Sequence, residues 1–382
     1  MIKQLLLAPG PTPVPARVRL AMAQPMFHHR TPQFSALFAE VRDGLRRLFR
    51  TEEDVLVLAS SGTGAMEAAI SNCFEPGDEV VVVNAGKFGE RWLKLSKAFG
   101  LTPIEIRVEW GRAVRADQVA QALDEHPRAR GVLVQGSETS TTAVHPIEQL
   151  AAVTRDREAL LVVDGITAVG VYEIPMDDWG VDVLVTGSQK ALMLPPGLAL
   201  IALSRRAWQC AEKTAQPRFY FDLVRERTNQ AKNTTAYTPA ISLVIGLREA
   251  LAMIEEEGLA NVFARHARLA RATRAAVEAL GMRLLAPDNP SPAVTGVYVP
   301  DAIDGSKLFA YLRDKMRVVF AGGQDHLKGR IVRIAHLGYM DAFDTISAIA
   351  AFEMALRHFG HAVELGRGVG AVEAELLAAL PE

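Results

Sequence analysis

Signals for disulfide bonds, membrane spans and basic regions are lacking in this chain of 382 residues. Its two cysteines, Cys73 and Cys210, are too few for a disulfide framework and fit the reducing cytosol. Lysine and arginine number 42 against 44 aspartates and glutamates and form no runs, so we expect neither nucleic acid nor an anionic membrane as a partner. No stretch approaches the roughly 18 apolar residues of a membrane helix. Because the apolar start is broken at Pro9, too early for a secretion signal, we expect a cytoplasmic protein.

Metal-binding patterns are lacking as well. The sequence has no HExxH motif and no clustered cysteine and histidine spacing. The adjacent His28 and His29 project in different directions and do not make a metal site alone. We therefore expect no metal, and we leave open whether His28, His29 or Arg30 reaches a functional site.

What the chain does have is a regular alternation of apolar runs and helical periodicity. Runs that are apolar on both faces, joined by helices, predict a mostly parallel sheet covered on both sides, an α/β fold. The seven predicted strands are Val55–Leu58, Glu79–Val83, Ile104–Val108, Val132–Val134, Leu160–Val163, Val183–Val185 and Leu198–Leu203. Later segments predict two long helices, 241–256 and 259–280, and a smaller α+β domain. We expect an extended N-terminal arm over residues 1–20, a large domain over 21–250 and a small C-terminal domain over 251–382.

Two of the predicted strands end at residues that carry chemistry. Leu160–Val163 is followed by Asp164, and Val183–Val185 leads through small polar residues to Lys190. Ligands of parallel sheets bind at the carboxyl ends of the strands. A lysine there can form a Schiff base with pyridoxal 5'-phosphate (PLP), and an aspartate can hold the pyridinium nitrogen. Taken singly, Asp164 could instead cap a helix or bind a metal, and Lys190 could be a solvated surface residue.

A glycine-rich turn after the first predicted strand suits an anion. Ser61, Gly62 and Thr63 stand where a strand passes into a helix, and the free N–H groups at a helix N-terminus bind phosphate. A plain capped turn is the simpler interpretation. A dinucleotide-binding loop is a further alternative, although Glu67 stands where its third glycine belongs.

Three more residues are candidates for binding. Arg333 lies in a predicted strand of the small domain, on the face opposite Val332 and Ile334, and could bind a carboxylate through a bidentate contact. A structural salt bridge is the alternative for Arg333. Phe88 could stack on a cofactor ring or pack in the core, and Thr139 could donate to a cofactor oxygen or belong to an ordinary loop.

With these residues assembled, the chain resembles the class V aminotransferases of PLP fold type I, and among them the alanine–glyoxylate/serine–pyruvate group. The resemblance spans nearly the whole sequence. It rests on the following motifs: Pro9-Gly10-Pro11-Thr12, Ser61-Gly62-Thr63-Gly64, Gly86-Lys87-Phe88-Gly89-Glu90-Arg91, Glu138-Thr139-Ser140-Thr141, Val163-Asp164, Gly187-Ser188-Gln189-Lys190-Ala191-Leu192 with Pro195-Pro196-Gly197, and Arg333-Ile334-Ala335-His336-Leu337-Gly338.

The resemblance implies a role for each matched position. Lys190 would carry the Schiff base, Asp164 would pair with the pyridine nitrogen, and Arg333 would bind the substrate carboxylate. The remaining positions would bind the cofactor: Ser61, Gly62, Thr63 and Gln189 its phosphate, Thr139 its ring hydroxyl, and Phe88 and Ile166 its ring. The family is typically homodimeric, which implies that Thr235 and Tyr237 would reach the phosphate site of a second copy.

The resulting hypothesis is transamination of a small amino acid, alanine or serine, with glyoxylate or pyruvate as acceptor. The two half-reactions through Lys190 predict ping-pong kinetics. Another PLP reaction, such as a lyase or a desulfurase, is the nearest alternative. A desulfurase needs a cysteine near the small-domain arginine, where neither Cys73 nor Cys210 lies in the sequence. A nucleotide-binding dehydrogenase or a non-catalytic binding module is the alternative from another class.

Overall fold

The computed structural model describes residues 4–378. In chain order, the strands are β1 (Leu5–Leu6), β2 (Val55–Ala59), β3 (Glu79–Asn84), β4 (Thr102–Arg107), β5 (Gly131–Gln135), β6 (Ser137–Glu138), β7 (Ala143–Val144), β8 (Leu160–Asp164), β9 (Val183–Gly187), β10 (Leu198–Leu203), β11 (Val294–Tyr298), β12 (Val318–Val319), β13 (Ala321–Gly322) and β14 (Ile331–Ala335).

The α-helices are α1 (Ala16–Met22), α2 (Pro32–Phe49), α3 (Gly62–Cys73), α4 (Lys87–Ala98), α5 (Ala116–Glu125), α6 (Ile147–Thr154), α7 (Met176–Trp179), α8 (Arg205–Lys213), α9 (Leu223–Gln230), α10 (Ile241–Glu257), α11 (Leu259–Ala279), α12 (Gly305–Ala310), α13 (Ala342–His358) and α14 (Arg367–Leu377). A π-helical turn at Tyr311–Lys315 and a 3-10 turn at Asp325–Leu327 complete the small domain. Within residues 4–378, no helix is both long and apolar enough to cross a membrane.

The large sheet has seven strands in the order β2-β10-β9-β8-β5-β3-β4. Strand β10 runs antiparallel to both of its neighbours, and the other pairings are parallel. The central strands β5, β8 and β9 are buried along their whole length. Their unbroken apolar sequence follows from this burial, because helices cover both faces of the sheet. The predicted α/β fold with a seven-stranded, mostly parallel sheet is confirmed.

Successive side chains of each strand point to opposite faces of the sheet, so the sheet contributes to two hydrophobic cores, one on each face. In β3, Val81 and Val83 pack in a core with helices α2 and α10, whereas Val80 and Val82 pack in another with α3 and α8. Each of the four valines is fully buried, so the sheet is covered on both faces and its strand ends are left to carry the polar side chains.

The small domain is built on the antiparallel sheet β11-β14-β13. It has its own hydrophobic core, to which α11 and α13 contribute. The change of core falls inside α11, between Val262 of the first core and Leu269 of the second. The predicted domain limit at 250/251 lies within α10, which crosses it without a break. The limits of the domains otherwise stay predictions.

Of the arm predicted over residues 1–20, residues 1–3 lie outside the described part of the chain, and the rest is extended over a shorter stretch than predicted. Helix α1 begins at Ala16, directly after Pro15, so the extended part ends there. Proline is favoured just before or at the first position of a helix, because the missing N–H is not needed there. Strand β1 pairs in parallel with β12 of the small domain. The arm therefore belongs to the small domain at its start and to the large domain at its end.

Candidate active site

Asp164 and Lys190 lie at the same edge of the sheet. Strands β8 and β9 pair in parallel with Asp164 opposite Val185, and Lys190 follows the end of β9. Asp164 is 4% exposed and accepts a hydrogen bond from the Ile166 N–H at 2.9 Å. Burial raises the pKa of Asp164 to about 6, and it lowers the pKa of the partly buried Lys190 to about 8. Each of the two charges also acts on the pKa of the other group, so the two predicted side chains are close neighbours.

The glycine-rich turn forms the start of helix α3, as predicted. Ser61 is its N-cap residue and makes no cap hydrogen bond with its side chain. A Cβ at Gly62 would lie 2.4 Å from the Ile166 Cδ1, so Ile166 packs directly on the first turn of the helix. A Cβ at Gly187 would lie 3.0 Å from the Gln189 Oε1 and 3.4 Å from the Gly62 nitrogen. The turn therefore packs closely against Ile166 on one side and Gln189 on the other, and Gln189 is the residue before Lys190.

Thr63 and Phe88 are joined by a residue that sequence reasoning did not single out, Arg91. The Arg91 Nη1 donates to the Thr63 Oγ1 at 3.0 Å, and its guanidinium carbon lies 4.9 Å from the Phe88 ring centroid. The signal was available in the sequence, because Phe88 and Arg91 are three positions apart on α4 and so share one helix face.

Thr139 and Arg333 meet across the two domains. The Arg333 Nη1 donates to the Thr139 carbonyl oxygen at 2.8 Å, and its Nε donates to the Gly322 carbonyl oxygen at 2.9 Å. The Thr139 hydroxyl donates to the Thr167 Oγ1 at 2.7 Å, and Thr167 is a second residue that sequence reasoning missed. Burial lowers the pKa of Arg333 to about 10, with the Glu138 carboxylate opposing that shift.

Arg333 forms no structural salt bridge, which was the alternative interpretation of this residue. Among residues 4–378, no carboxylate oxygen lies within ion-pair distance of its guanidinium group. It is 8% exposed, and both of its hydrogen bonds go to backbone carbonyl oxygens. A buried guanidinium without a counter-ion is suited to bind an external carboxylate.

Within the described residues of one chain, neither Thr235 nor Tyr237 hydrogen-bonds to Lys190. The Thr235 hydroxyl donates to the Tyr237 carbonyl oxygen at 2.6 Å, and the Tyr237 hydroxyl donates to the Phe219 carbonyl oxygen at 3.0 Å. Nearby, the Arg30 Nη1 donates to the Thr234 Oγ1 at 2.7 Å, so Arg30 lies beside this segment. The histidines beside Arg30 stack on each other.

The two cysteines lie in a hydrophobic core, where neither can serve as the catalytic thiol of a desulfurase. Cys73 ends α3 and Cys210 lies in α8, and both pack in the core between these helices. Burial raises the pKa of both thiols, which disfavours the reactive thiolate. The described part of the chain thus places neither thiol beside Arg333.

These residues fit PLP. A protonated pyridine nitrogen is a suitable partner for Asp164, whose burial otherwise disfavours its charge. The N–H groups of Gly62 and Thr63 at the start of α3 have no partner within the helix, as a phosphate site requires. The Gln189 amide, whose oxygen is buried without a partner, can turn its NH2 group to a phosphate. Lys190 has the lowered pKa of an amine that reacts with an aldehyde. The fold and the chemistry of these residues together fit a PLP-dependent enzyme.

Comparison with known proteins gives the family. The model of the class-V aminotransferase family matches residues 6–335, and the chain belongs to that family. It is 36% identical to the L-aspartate–glyoxylate aminotransferase of Paracoccus denitrificans, over 96% of this chain and 95% of the relative. It is 41% identical to a protein of Anabaena cylindrica named soluble hydrogenase 42 kDa subunit, over 97% of each chain. The alanine–glyoxylate aminotransferase structure from a Nostoc species superposes with a TM-score of 0.89 at 32% identity, covering 94% of this chain and 96% of that one.

The family assignment decides between the classes that the sequence left open. This protein is an aminotransferase of class V, so the dehydrogenase and the non-catalytic binding module are set aside. The predicted PLP fold type I is confirmed by the same comparisons.

Proposed function

We propose that the protein uses PLP to move the amino group of alanine or serine to glyoxylate or pyruvate. The observation that carries this proposal is the convergence of Lys190, Asp164 and Arg333, since the charges of the other two both act on the pKa of Lys190. The names of two similar proteins support glyoxylate as the acceptor, one with aspartate and one with alanine as the named donor.

Lys190 is the group that moves the proton. Its lowered pKa leaves a useful fraction of neutral amine near pH 8, and a neutral amine can take the proton from the substrate Cα and return it. Bound PLP supplies the aldehyde that links to Lys190 and a ring that accepts electrons from the Cα–H bond. Asp164, as a carboxylate beside the ring nitrogen, keeps that nitrogen protonated.

Arg333 fixes the substrate by its carboxylate. A guanidinium group has five N–H donors, and the structure uses two of them on carbonyl oxygens, so the remaining donors can form a bidentate contact. This contact would orient the Cα–H bond toward Lys190. Since both the amino acid and the 2-oxo acid carry a carboxylate, one arginine serves both half-reactions.

The other predicted residues hold the cofactor. Ser61, Gly62, Thr63 and Gln189 surround its phosphate, Phe88 and Ile166 enclose its ring, and Thr139 lies near its ring hydroxyl. The Thr139 hydroxyl gives its one proton to Thr167, which leaves its oxygen free to accept a hydrogen bond from the ring hydroxyl.

A second copy of the chain completes the site in this proposal. Phe219 is 72% and Tyr220 47% exposed, and both rings contact that of Tyr237. A group of exposed aromatic rings of this kind is typical of a protein interface. A homodimer would bury these rings and bring Thr235 and Tyr237 to the partner's phosphate site. The free thiols of Cys73 and Cys210 support a cytoplasmic location.

Light scattering tests the dimer. Phe219→Arg is expected to give monomers that bind PLP weakly, whereas Phe343→Arg, at a residue of α13 that is 76% exposed, is expected to leave the dimer intact. A wild-type monomer that binds PLP and transaminates normally would contradict this assembly.

An absorbance screen tests the reaction. The protein with PLP is expected to be yellow, and addition of alanine or serine should shift the absorbance to shorter wavelength until glyoxylate or pyruvate restores it. Aspartate belongs in the same screen because of the Paracoccus relative. Lys190→Ala should abolish the shift, whereas Lys97→Ala, at an exposed position of α4, should not change it. A Lys190→Ala protein with normal transamination would overturn the proposal.

A further inference from the structure

Arg91 carries a positive charge into the site and has no assigned role. It projects from α4 onto two proposed cofactor residues, donating from its Nη1 to the Thr63 Oγ1 at 3.0 Å and lying over the Phe88 ring. Among residues 4–378, no carboxylate lies within ion-pair distance of it. Its neighbour on the next turn, Lys94, behaves differently, since it is exposed and pairs with Glu90 at 3.8 Å.

The charge of Arg91 affects the pKa of two other residues of the site. After the larger effect of burial, Arg91 contributes to the pKa of both Asp164 and Lys190, lowering each. The half-buried guanidinium therefore lies near both groups. Asp164 is a possible partner for it, but the hydrogen bond that Arg91 makes goes to Thr63 in the first turn of α3.

The proposed phosphate site is otherwise built from neutral groups. Ser61 and Thr63 offer hydroxyl groups, Gln189 offers a side-chain amide, and α3 offers backbone N–H groups with a helix dipole of about half a charge. A phosphate monoester carries about −1.5 to −2 charges at neutral pH. The neutral donors leave most of that charge without a counter-ion, and Arg91 is the cation in contact with the site's first helical turn.

We propose that Arg91 is a phosphate-binding residue that supplies the counter-charge for the cofactor's phosphate group. This inference rests on the proposed PLP function and adds a residue to it. Thr63 positions the guanidinium by accepting its Nη1 hydrogen bond, and the Phe88 ring supports its face through a cation–π contact. The phosphate would then bind between the N-terminus of α3 and the other donors of Arg91.

The test compares two ligands that differ only in the phosphate. Equilibrium binding of PLP and of pyridoxal, which has no phosphate, is measured on the apoprotein by absorbance and by tryptophan fluorescence. For Arg91→Gln, we expect PLP to bind about 10- to 100-fold more weakly, as for loss of a charge-assisted hydrogen bond, with pyridoxal changed less than about threefold. Lys94→Gln, one turn away on the same helix, is the matched control and should leave both affinities unchanged.

Equal weakening of PLP and pyridoxal would overturn the inference, because it would show that Arg91 acts through Asp164 or through packing on Phe88. An unchanged PLP affinity would overturn it as well. If Arg91→Gln does not fold by circular dichroism, Arg91→Lys provides the same comparison. It keeps the charge but loses the planar fork, so we expect a loss of about three- to tenfold that again affects PLP alone.

The outcome for Arg91 is separate from that for the proposed reaction. Wild-type protein that binds PLP through Arg91 but transaminates no amino acid would contradict the reaction and leave the phosphate assignment standing. Wild-type protein that transaminates normally while Arg91→Gln keeps full PLP affinity would contradict the assignment alone.

Discussion

The Nζ of Lys190 donates a hydrogen bond to the carbonyl oxygen of Pro9 at 2.6 Å. Thr12 makes a second contact with the same lysine, because its hydroxyl donates to the Lys190 carbonyl oxygen at 2.8 Å. The arm thus crosses directly over the lysine on its way from the small domain to the large one. A proline-rich N-terminal segment more often covers a surface or a partner subunit, and here it forms a wall of the chain's own site.

Gly10 is the residue of the arm where an added side chain would collide with Lys190. Its φ is +144°, and a Cβ there would lie 2.3 Å from the Lys190 Nζ. Because the flexible lysine can move aside, we expect Gly10→Ala to displace Lys190 without unfolding the protein, at a cost of about 1 kcal/mol in stability from backbone strain. We expect PLP to link to the lysine at least about tenfold more slowly, as followed by the appearance of yellow colour.

The control for this prediction is Gly77→Ala. Gly77 also has a positive φ, of +93°, but a Cβ there would meet no atom within 4 Å. It should show a similar loss of stability with a normal rate of PLP linkage. Equal rates in the two variants would mean that the space around Lys190 is larger than the structure shows.

The pH dependence of PLP linkage should report the lowered pKa of Lys190. The neutral amine is the reactive form, so its fraction rises with pH through the pKa. With a pKa of about 8, roughly a tenth of the amine is neutral at pH 7, against well under a thousandth for an ordinary lysine at 10.5. We expect the linkage rate of the apoprotein to rise up to about pH 8 and then level off.

The variant Lys97→Ala is the control for that profile, because Lys97 is an exposed lysine on α4. A profile of the wild type that keeps rising past pH 10 would show that burial does not lower the pKa of Lys190. A profile that Lys97→Ala alters would show that the reacting amine is not Lys190.

Arg333→Gln should weaken both substrates. Loss of a charge-assisted bidentate contact costs about 2–4 kcal/mol, so kcat/KM is expected to fall about 30- to 1000-fold for the amino acid and for the 2-oxo acid alike. Since Arg333 lies in the small domain and not among the phosphate residues, PLP affinity should change little. Arg330→Gln, at the exposed residue just before β14, should leave steady-state kinetics unchanged. A loss restricted to one of the two substrates would contradict a shared carboxylate site.

The strands and the long helices could be predicted because their sequence signals are local. All seven strands of the large sheet were predicted at the right places, since most are short apolar runs closed by polar residues and the edge strand β4 alternates apolar with charged residues. The helix predicted over 241–256 is found at Ile241–Glu257. Sequence reasoning did not identify α2, although Thr31 caps it, Pro32 occupies its first position, and Phe34 and Phe38 begin its buried stripe.

Asp164 and Lys190 could be predicted as site residues because each follows the end of a strand that the sequence marks as an apolar run. The contacts that complete the site are long-range and leave no local pattern. Pro9 and Lys190 are 181 positions apart in the sequence, and Thr139 and Arg333 are 194 apart.

Glu138 should prove essential to the stability of the site. Its fully buried carboxylate accepts hydrogen bonds from the N–H groups of Phe88 and Gly89, at 3.1 and 3.0 Å, and from the backbone and the hydroxyl of Ser140. Glu138→Ala would leave several buried donors without an acceptor at the start of α4, so we expect the free energy of unfolding to fall by about 3–5 kcal/mol.

Urea unfolding followed by circular dichroism measures this loss, with Glu148→Ala as the matched control. Glu148 is exposed in the first turn of α6, and its removal is expected to change stability by less than about 0.5 kcal/mol. Glu138→Gln keeps one acceptor oxygen but turns an amide toward the N–H donors, so it should fall between the two. The Phe88 N–H is one of the donors to Glu138, so loss of the carboxylate should also lower the affinity for PLP. A Glu138→Ala protein that keeps both its stability and its PLP affinity would show that water replaces the carboxylate without cost.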